Sequence, residues 1–412
     1  MSEYSMKNHA ALMERAKKVV PGGVIGHAAL APAAHPRFYH RGEGCRVWDV
    51  DDNEYIDFMC SFGPNLLGMN HPRVERAAAE QRALGNCFTG PTERWVELAE
   101  ELVRRIGYAD WALFQKNGSD ATSLCLTLAR AATGKRKILV ADGAYHTTSP
   151  WGNPSKTGVV DEDRAHFLYY RFNDLESVRR AVAEAGDDFA GLMVSPFKHD
   201  AFVDQELVDP DFARGLREIC DAHSALLMMD EVRGGFRMAP RGSWESLGVH
   251  PDVAAWGKGI ANGYPLSTVV GTESLRPIAA GLYSTGSFWY SAVPMAAALE
   301  TLRVLDEDDV VAHITKVGTE FRTGLDSLAK THGFALRQTG PPQMPLVLFE
   351  DDDGFAKGTF FTTDALKRGI FLHPFHNMFL SAAHSSDDIA QTLERLEASF
   401  AELARAVSDG SL

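Results

Sequence analysis

Trp111-Ala-Leu-Phe-Gln115 runs into Asn117-Gly-Ser-Asp120, and Ala121 to Ala132 follows with helical composition before Gly134 stops it. A short apolar strand, a turn and a helix in that order form the unit from which crossover sheets are built. Outward from it, Lys137–Ala141, Gly191–Pro196 and Ala225–Asp230 are further short apolar runs, each closed by turn or polar residues. From about residue 100 to residue 271 such runs alternate with helical periodicity, which predicts an α/β core with a mostly parallel sheet flanked by helices. In open sheets of this kind ligands bind just outside the carboxyl ends of the strands, so the residues there are the first candidates for chemistry.

The remainder of the chain reads differently. Gly/Pro-rich Val20–Gly26 precedes a hairpin-like stretch from Cys45 to Asp57, whose polar tip at Asp51–Asn53 fits a β-turn. A long helical stretch, Met295 to Leu328, gives way to short strands and a final helix from Asp387 to about Ala406. These features predict a large domain over 58–300 and a small α+β domain over 301–412, to which the segment 1–57 contributes.

Composition removes several functions. Among 412 residues, 41 Lys+Arg stand against 55 Asp+Glu, a formal charge of −14, and no basic run offers a footprint for a polyphosphate backbone, so no nucleic-acid partner is expected. Hydrophobic residues at 45% and charged residues at 23% are those of a globular chain with a substantial core, which excludes global disorder. The five cysteines are scattered without a CxxC pair and read as reduced thiols. Met1 to Gly23 lacks the apolar core of a secretory signal, and no run approaches the roughly 18 apolar residues of a membrane span. The expectation is a soluble, cytoplasmic protein without a membrane partner.

Four signals carry chemistry. In Ala254-Ala-Trp-Gly-Lys258-Gly-Ile-Ala-Asn-Gly-Tyr-Pro265 one lysine stands among glycines and apolar residues. A partly desolvated ammonium loses proton affinity, which frees the amine to attack a carbonyl and form a Schiff base. Leu226-Leu-Met-Met-Asp230 ends an apolar strand on a carboxylate, either a cap or ion-pair residue or the partner of a pyridinium nitrogen. The turn at Asn117-Gly118-Ser119-Asp120 opens a helix directly after a strand and so aims backbone N–H groups at an anion, although a plain N-cap explains Ser119 or Asp120 equally. It is neither a dinucleotide fingerprint nor a P-loop. Asp142-Gly-Ala-Tyr145-His146 places an aromatic ring and a polar neighbour at another strand end, suited to stacking on a planar heterocycle. A phosphate cradle, a stacking ring, a strand-end carboxylate and a sheltered lysine together describe a pyridoxal phosphate (PLP) site.

With these residues in place, the sequence resembles the fold-type I, class III aminotransferases, and within them is most similar to glutamate-1-semialdehyde aminomutases and their relatives. Val20-Pro-Gly-Gly-Val24, Trp48-Asp-Val-Asp-Asp-Asn-Glu-Tyr-Ile-Asp57, Leu67-Gly-Met-Asn-His-Pro72, Asp230-Glu-Val-Arg-Gly-Gly-Phe-Arg237 and Gly257-Lys-Gly259 stand where that family has its signatures. The resemblance implies the PLP-dependent transferase fold, with Lys258 carrying the cofactor, Asp230 contacting the ring nitrogen, Tyr145 with His146 beside the ring, and Gly118 and Ser119 on the phosphate. It also implies a homodimer with a shared active site, in which Ser287 completes the phosphate site of the neighbouring subunit, with Thr285 as the fallback assignment.

The sequence also departs from the family. Ser195-Pro-Phe197 stands for the usual Glu-Pro-Val, Lys116 for an asparagine, and Ala28 near the arginine that holds the substrate carboxylate in the aminomutases. Arg37, Arg41, Phe62, Trp151, Lys198, His199, Trp289 and His376 are the candidates for the substrate pocket, with Arg37 or Arg41 as a carboxylate clamp unless each is only a surface ion pair. His373, His376 and His384 lack a carboxylate at metal-ligand spacing, so no metal is expected. The expected activity is transfer of an amino group between a small amine or amino acid and a keto acid or aldehyde through a Lys258 Schiff base. The alternatives are an aminomutase, epimerase or amine lyase of the same fold, and a non-catalytic PLP-binding protein.

Overall fold

A computed structural model describes residues 4–32 and 34–412. The chain divides into two compact units: Met1–His71 with Ala201–Asp204 and Ala312–Leu412, and Pro72–Asp200 with Gln205–Val311. Sequence reading placed the corresponding borders at 57/58 and 300/301.

The unit of 72–311 is built on a seven-stranded sheet: β1 (Trp111–Gln115), β2 (Lys137–Ala141), β3 (Phe167–Tyr170), β4 (Phe189–Val194), β5 (Leu226–Asp230), β6 (Val253–Trp256) and β7 (Ser267–Gly271). Their spatial order is β1-β7-β6-β5-β4-β2-β3. The pairs β6/β5, β5/β4, β4/β2 and β2/β3 are parallel, whereas β7 runs antiparallel to both β6 and β1. Six strands therefore point their carboxyl ends to one edge, and only β7 is reversed. The sheet is the mostly parallel, mixed one expected. Strand β4 begins two residues before the expected run and stops at Val194, because Pro196 has no N–H to continue a ladder.

The helix Gly118–Thr133 follows β1 directly and packs Leu124, Cys125 and Leu128 onto Met193, Met228, Val253 and Val269 of the sheet. Its cap is Asn117, whose side chain accepts a hydrogen bond from Asp120 N at 3.2 Å, so the capping role open between Ser119 and Asp120 belongs to neither. Gly118 is required by packing: a Cβ there would lie 2.8 Å from Val232 Cγ1. The expected helix from Met295 to Leu328 is two helices, Ala292–Glu307 and Val310–Thr331, parted at Asp308 and at Asp309, whose φ of 43° lies in the left-handed region.

In the other unit, Arg46–Asp49 and Glu54–Asp57 form the expected hairpin, inside a four-stranded sheet completed by Tyr39–Glu43 and Ile370–Phe371. Asp49 shapes the hairpin tip, accepting from Asp51 N and Asn53 N at 2.9 and 3.0 Å and from the Tyr55 hydroxyl at 2.6 Å. The closing helix is Ser386–Ser408, opened by a capping box between Ser385 and Asp388.

Candidate active site

Five carboxyl ends of the parallel strands deliver the candidate residues of the larger unit: β1 leads to Gly118 and Ser119, β2 to Tyr145 and His146, β4 to Lys198 and His199, β5 ends on Asp230, and β6 leads to Lys258. Asp230 is 5% exposed, and such a carboxylate persists only with partners. Its Oδ2 stands 2.7 Å from His146 Nδ1, and its Oδ1 accepts from Val232 N at 3.0 Å. His146 is in turn moored to the helix, its carbonyl accepting from the Thr122 hydroxyl at 2.9 Å, while its Nε2 is buried without a partner.

Lys258 opens the short turn Lys258–Ala261 with a φ of 42°, a strained conformation for a side chain of this size. Burial pushes its amine down to about 7, Arg233 pushes the same way and Asp230 opposes. Burial raises the Tyr145 phenol, which lies within the fields of Arg233 and Asp230. His199 is buried and held well below the ordinary histidine range, by burial first and then by Arg233 and His146, with Lys258 adding a smaller push. One cluster thus brings together Asp230, His146, Tyr145, His199 and Lys258.

At the helix N-terminus, Ser119 Oγ accepts from Thr148 N at 3.1 Å and lies 3.4 Å from the Thr148 hydroxyl. Ser267 Oγ donates to the Asn117 carbonyl at 2.7 Å and pins the turn to β7. First-turn N–H groups and the positive end of a sixteen-residue helix favour an anion here. Lys116 is exposed, its ammonium 5.3 Å from the centre of the Phe288 ring. Ser287 and Thr285 are exposed and Trp289 half-buried.

Other candidates have other occupations. Trp151 stacks on Phe167 at 5.2 Å with 7° between the ring planes, as part of the core covering. Lys198 pairs with Glu206 at 2.7 Å across a short hairpin. Within the unit of 1–71, 201–204 and 312–412, Arg37, Arg41 and Phe62 line one cavity of about 360 Å³ with Asp57, Phe371 and His373. Arg37 directs its guanidinium to the carbonyls of Ala31, Pro32 and His35. Arg41 lies 3.9 Å over the Trp48 ring and 3.4 Å from Glu43. Phe62 meets His376 edge-on at 5.2 Å, and His376 Nδ1 is 2.7 Å from the Asn377 carbonyl. The sequence reading missed Asp200 and Arg233 as site groups; their signal was position, just past the ends of β4 and β5.

The arrangement suits a phosphorylated, ring-bearing aldehyde. It offers an anion-binding helix start where a Cβ at position 118 would collide, a buried and compensated carboxylate, and a lysine amine near neutrality. Among the described residues no group of three or more His, Cys, Asp or Glu is arranged to hold a metal ion, and no helix is long and apolar enough to cross a membrane.

The profile of the aminotransferase class-III family matches residues 29–400. The aminopentol aminotransferase of Sphingopyxis macrogoltabida is 48% identical over 396 residues, covering 96% of this chain and 94% of that protein. A glutamate-1-semialdehyde 2,1-aminomutase of Bordetella avium (strain 197N) is 34% identical over 429 residues, covering 97% and 100%. Among solved structures, the PLP internal aldimine form of the FumI protein from Sphingopyxis sp. MTA144 is 46% identical with a TM-score of 0.96, covering 98% of each chain.

Proposed function

The chain belongs to the class-III aminotransferases, PLP-dependent enzymes of the fold-type I architecture, and on that premise we propose how its own residues divide the work. When bound, the cofactor supplies an aldehyde that takes up the amino group and a ring that stores the electron pair released at the neighbouring carbon. Lys258 would hold the cofactor covalently, and its freed Nζ, with a proton affinity near neutrality, would take the proton from the substrate carbon bearing the amino group and deliver it to the cofactor's aldehyde carbon. Asp230, kept in place by His146 and by Val232 N, would meet the ring nitrogen and keep it protonated. Tyr145 would stack on the ring, and Gly118 with Ser119 would hold the phosphate at the helix start. Ser287 of the partner subunit completes that phosphate site in a homodimer, a reading supported by the exposure of Tyr283, Phe288 and Tyr290 on the same segment.

The donor is an amine without a carboxylate of its own, and the acceptor a keto acid. The related protein's name denotes an amine bearing alcohol groups, and Arg37 and Arg41 are both engaged with neighbours inside their own unit. Five cysteines without a disulfide fit a reducing compartment, the cytoplasm.

The observation that carries this reading is the lowered Lys258 amine beside the Asp230–His146 pair. It is tested by loading the protein with PLP and adding 2-aminobutane, an amine without a carboxylate. The aldehyde absorption is expected to convert to that of the amine form, and a spectrum inert to every amine leaves a binding protein instead. The aminomutase reading has support in the 34% identical relative. Continued turnover of many equivalents without any keto acid would favour it.

A further inference from the structure

Glu231 follows Asp230 and is 2% exposed. Its backbone carries β5 one step further, its N–H donating to the Ala255 carbonyl of β6 at 2.8 Å, and successive side chains on a strand leave by opposite faces. The carboxyl reaches across the loop that follows. Its Oε1 accepts from Ser243 N at 2.7 Å, its Oε2 meets the Ser243 hydroxyl, and the Glu231 carbonyl accepts from Gly235 N at 2.8 Å. One residue therefore ties the loop 232–242 at its start and at its end. Trp244, the next residue, anchors the far end again, its Nε1 donating to the Pro196 carbonyl at 2.9 Å. The clasp has no slack, because a Cβ at Gly234 would lie 2.9 Å from Ser243 Oγ.

Val232, the first residue of that loop, donates its N–H to Asp230 Oδ1 at 3.0 Å. Its Cγ1 lies 2.8 Å from where a Cβ would stand at Gly118, and 3.3 Å from where one would stand at Gly257, the residue before Lys258. A single residue thus fills the space between the phosphate turn and the lysine turn while its backbone holds the carboxylate. In a close-packed interior, a shift of Val232 is felt at all three.

A buried carboxyl is costly unless its contacts offset the loss of water. Among the described residues, Asp230 adds its charge to the effect of burial on Glu231, and the buried Tyr108 hydroxyl lies in the field of Glu231. Burial raises Glu231 to about 7. The clasp holds in either protonation state, since a carboxyl O–H can donate to the Ser243 hydroxyl as the hydroxyl donates to a carboxylate.

We propose that Glu231 is a positioning residue: by clasping Ser243 it fixes Val232, and through Val232 it sets the spacing of Asp230, the phosphate turn and the lysine turn. The proposal rests on the division of work among the site residues given above.

Glu231→Met removes the clasp at similar volume, whereas Glu231→Gln keeps it, the amide accepting from Ser243 N and donating to the hydroxyl. In Glu231→Met the PLP dissociation constant, measured by equilibrium dialysis, is expected to rise about tenfold, and the pH midpoint of the holoenzyme's visible band to move. Both stay near wild type in Glu231→Gln. Ser243→Ala should shift both in the same direction by less, and adding it to Glu231→Met should change nothing further, because the two residues act through one contact. Leu216→Ala, a buried deletion in the helix Pro210–Ala222, gives the comparison for a purely structural loss: a lower Tm with affinity and midpoint unchanged. A Glu231→Met protein that loses Tm as Leu216→Ala does and keeps wild-type affinity and midpoint overturns the proposal, as do fully additive losses in the double variant. If Glu231→Met fails to fold, Ser243→Ala carries the test, and wild-type affinity with a wild-type midpoint there overturns the proposal. Asp230→Asn separates the underlying reading: an unmoved midpoint in that variant refutes the placing of Asp230 at the ring nitrogen, whereas wild-type behaviour of Glu231→Met refutes the clasp alone.

Discussion

His146 Nδ1 and Asp230 Oδ2 stand 2.7 Å apart, 84 residues apart in sequence and both buried. The contact joins the loop after β2 to the last residue of β5, two strands that do not pair with each other. It sets a neighbour of the stacking aromatic and the strand-end carboxylate in one rigid unit, and it compensates a charge that β5 alone would leave stranded.

Replacing His146 by Phe removes that compensation. Truncating one member of a buried charged contact costs about 2–5 kcal/mol. His146→Phe should therefore unfold at lower denaturant and, in the holo form, release PLP more readily, whereas His146→Asn should retain part of both. Urea titration and dialysis against buffer without cofactor check this.

Lys258→Ala should abolish borohydride-trappable cofactor and cut turnover by about 10²–10⁴-fold, the range of a lost general base. Mass spectrometry of the reduced protein locates the adduct. A second trapped lysine would overturn the assignment.

Burial holds the Lys258 amine down to about 7 in the folded apo-protein, against about 10.5 for a free lysine. Between those two values the unfolded chain binds more protons than the folded one, so this group adds stability as pH rises through that window and burdens the fold below about 7. Lys258→Met should thus raise the apo-protein Tm at pH 7 and raise it less at pH 10.5. The rate at which apo-protein captures PLP should climb through about pH 7 as the amine deprotonates.

Gly118→Ala drives a methyl to within 2.8 Å of Val232 Cγ1. Overpacking of this kind costs typically about 1–3 kcal/mol. Because the displaced turn is also the phosphate cradle, PLP affinity should fall together with Tm. Ser119→Ala should weaken PLP by roughly tenfold with little change in Tm, the loss of one hydrogen bond to a charged group. Equilibrium dialysis and thermal melts separate the two effects.

Much of this was legible in the chain. The runs at 111–115, 137–141 and 225–230 are apolar, bounded by polar turns, and each became a strand within a residue of the expected limits. Lys258 and Asp230 were conspicuous because a lone charge in an apolar or glycine-rich run is costly unless it has a task. Less was legible in the side chains that reach across the fold. Nothing in the stretch around Arg37 says that its fork turns back on the carbonyls of Ala31, Pro32 and His35, nor does the sequence near Trp151 say that its ring lies flat on Phe167. The cap was expected at Ser119 or Asp120, and it falls on Asn117 because the backbone there is still extended, at φ −143°, while residue 118 is already helical.

Local pattern alone determined the alternation of strands and helices, the strand-end placement of Asp230, the turn before Gly118 and the isolation of Lys258, because hydrophobic period, glycine and proline act over a few neighbouring residues. Tertiary structure decided which distant groups share a field: that His146 meets Asp230, that Arg233 and His199 surround Lys258, and that Arg37 and Arg41 are occupied elsewhere. Such pairings depend on the order in which strands stack in the sheet, and that order is set by burial of whole faces rather than by any residue's neighbours along the chain.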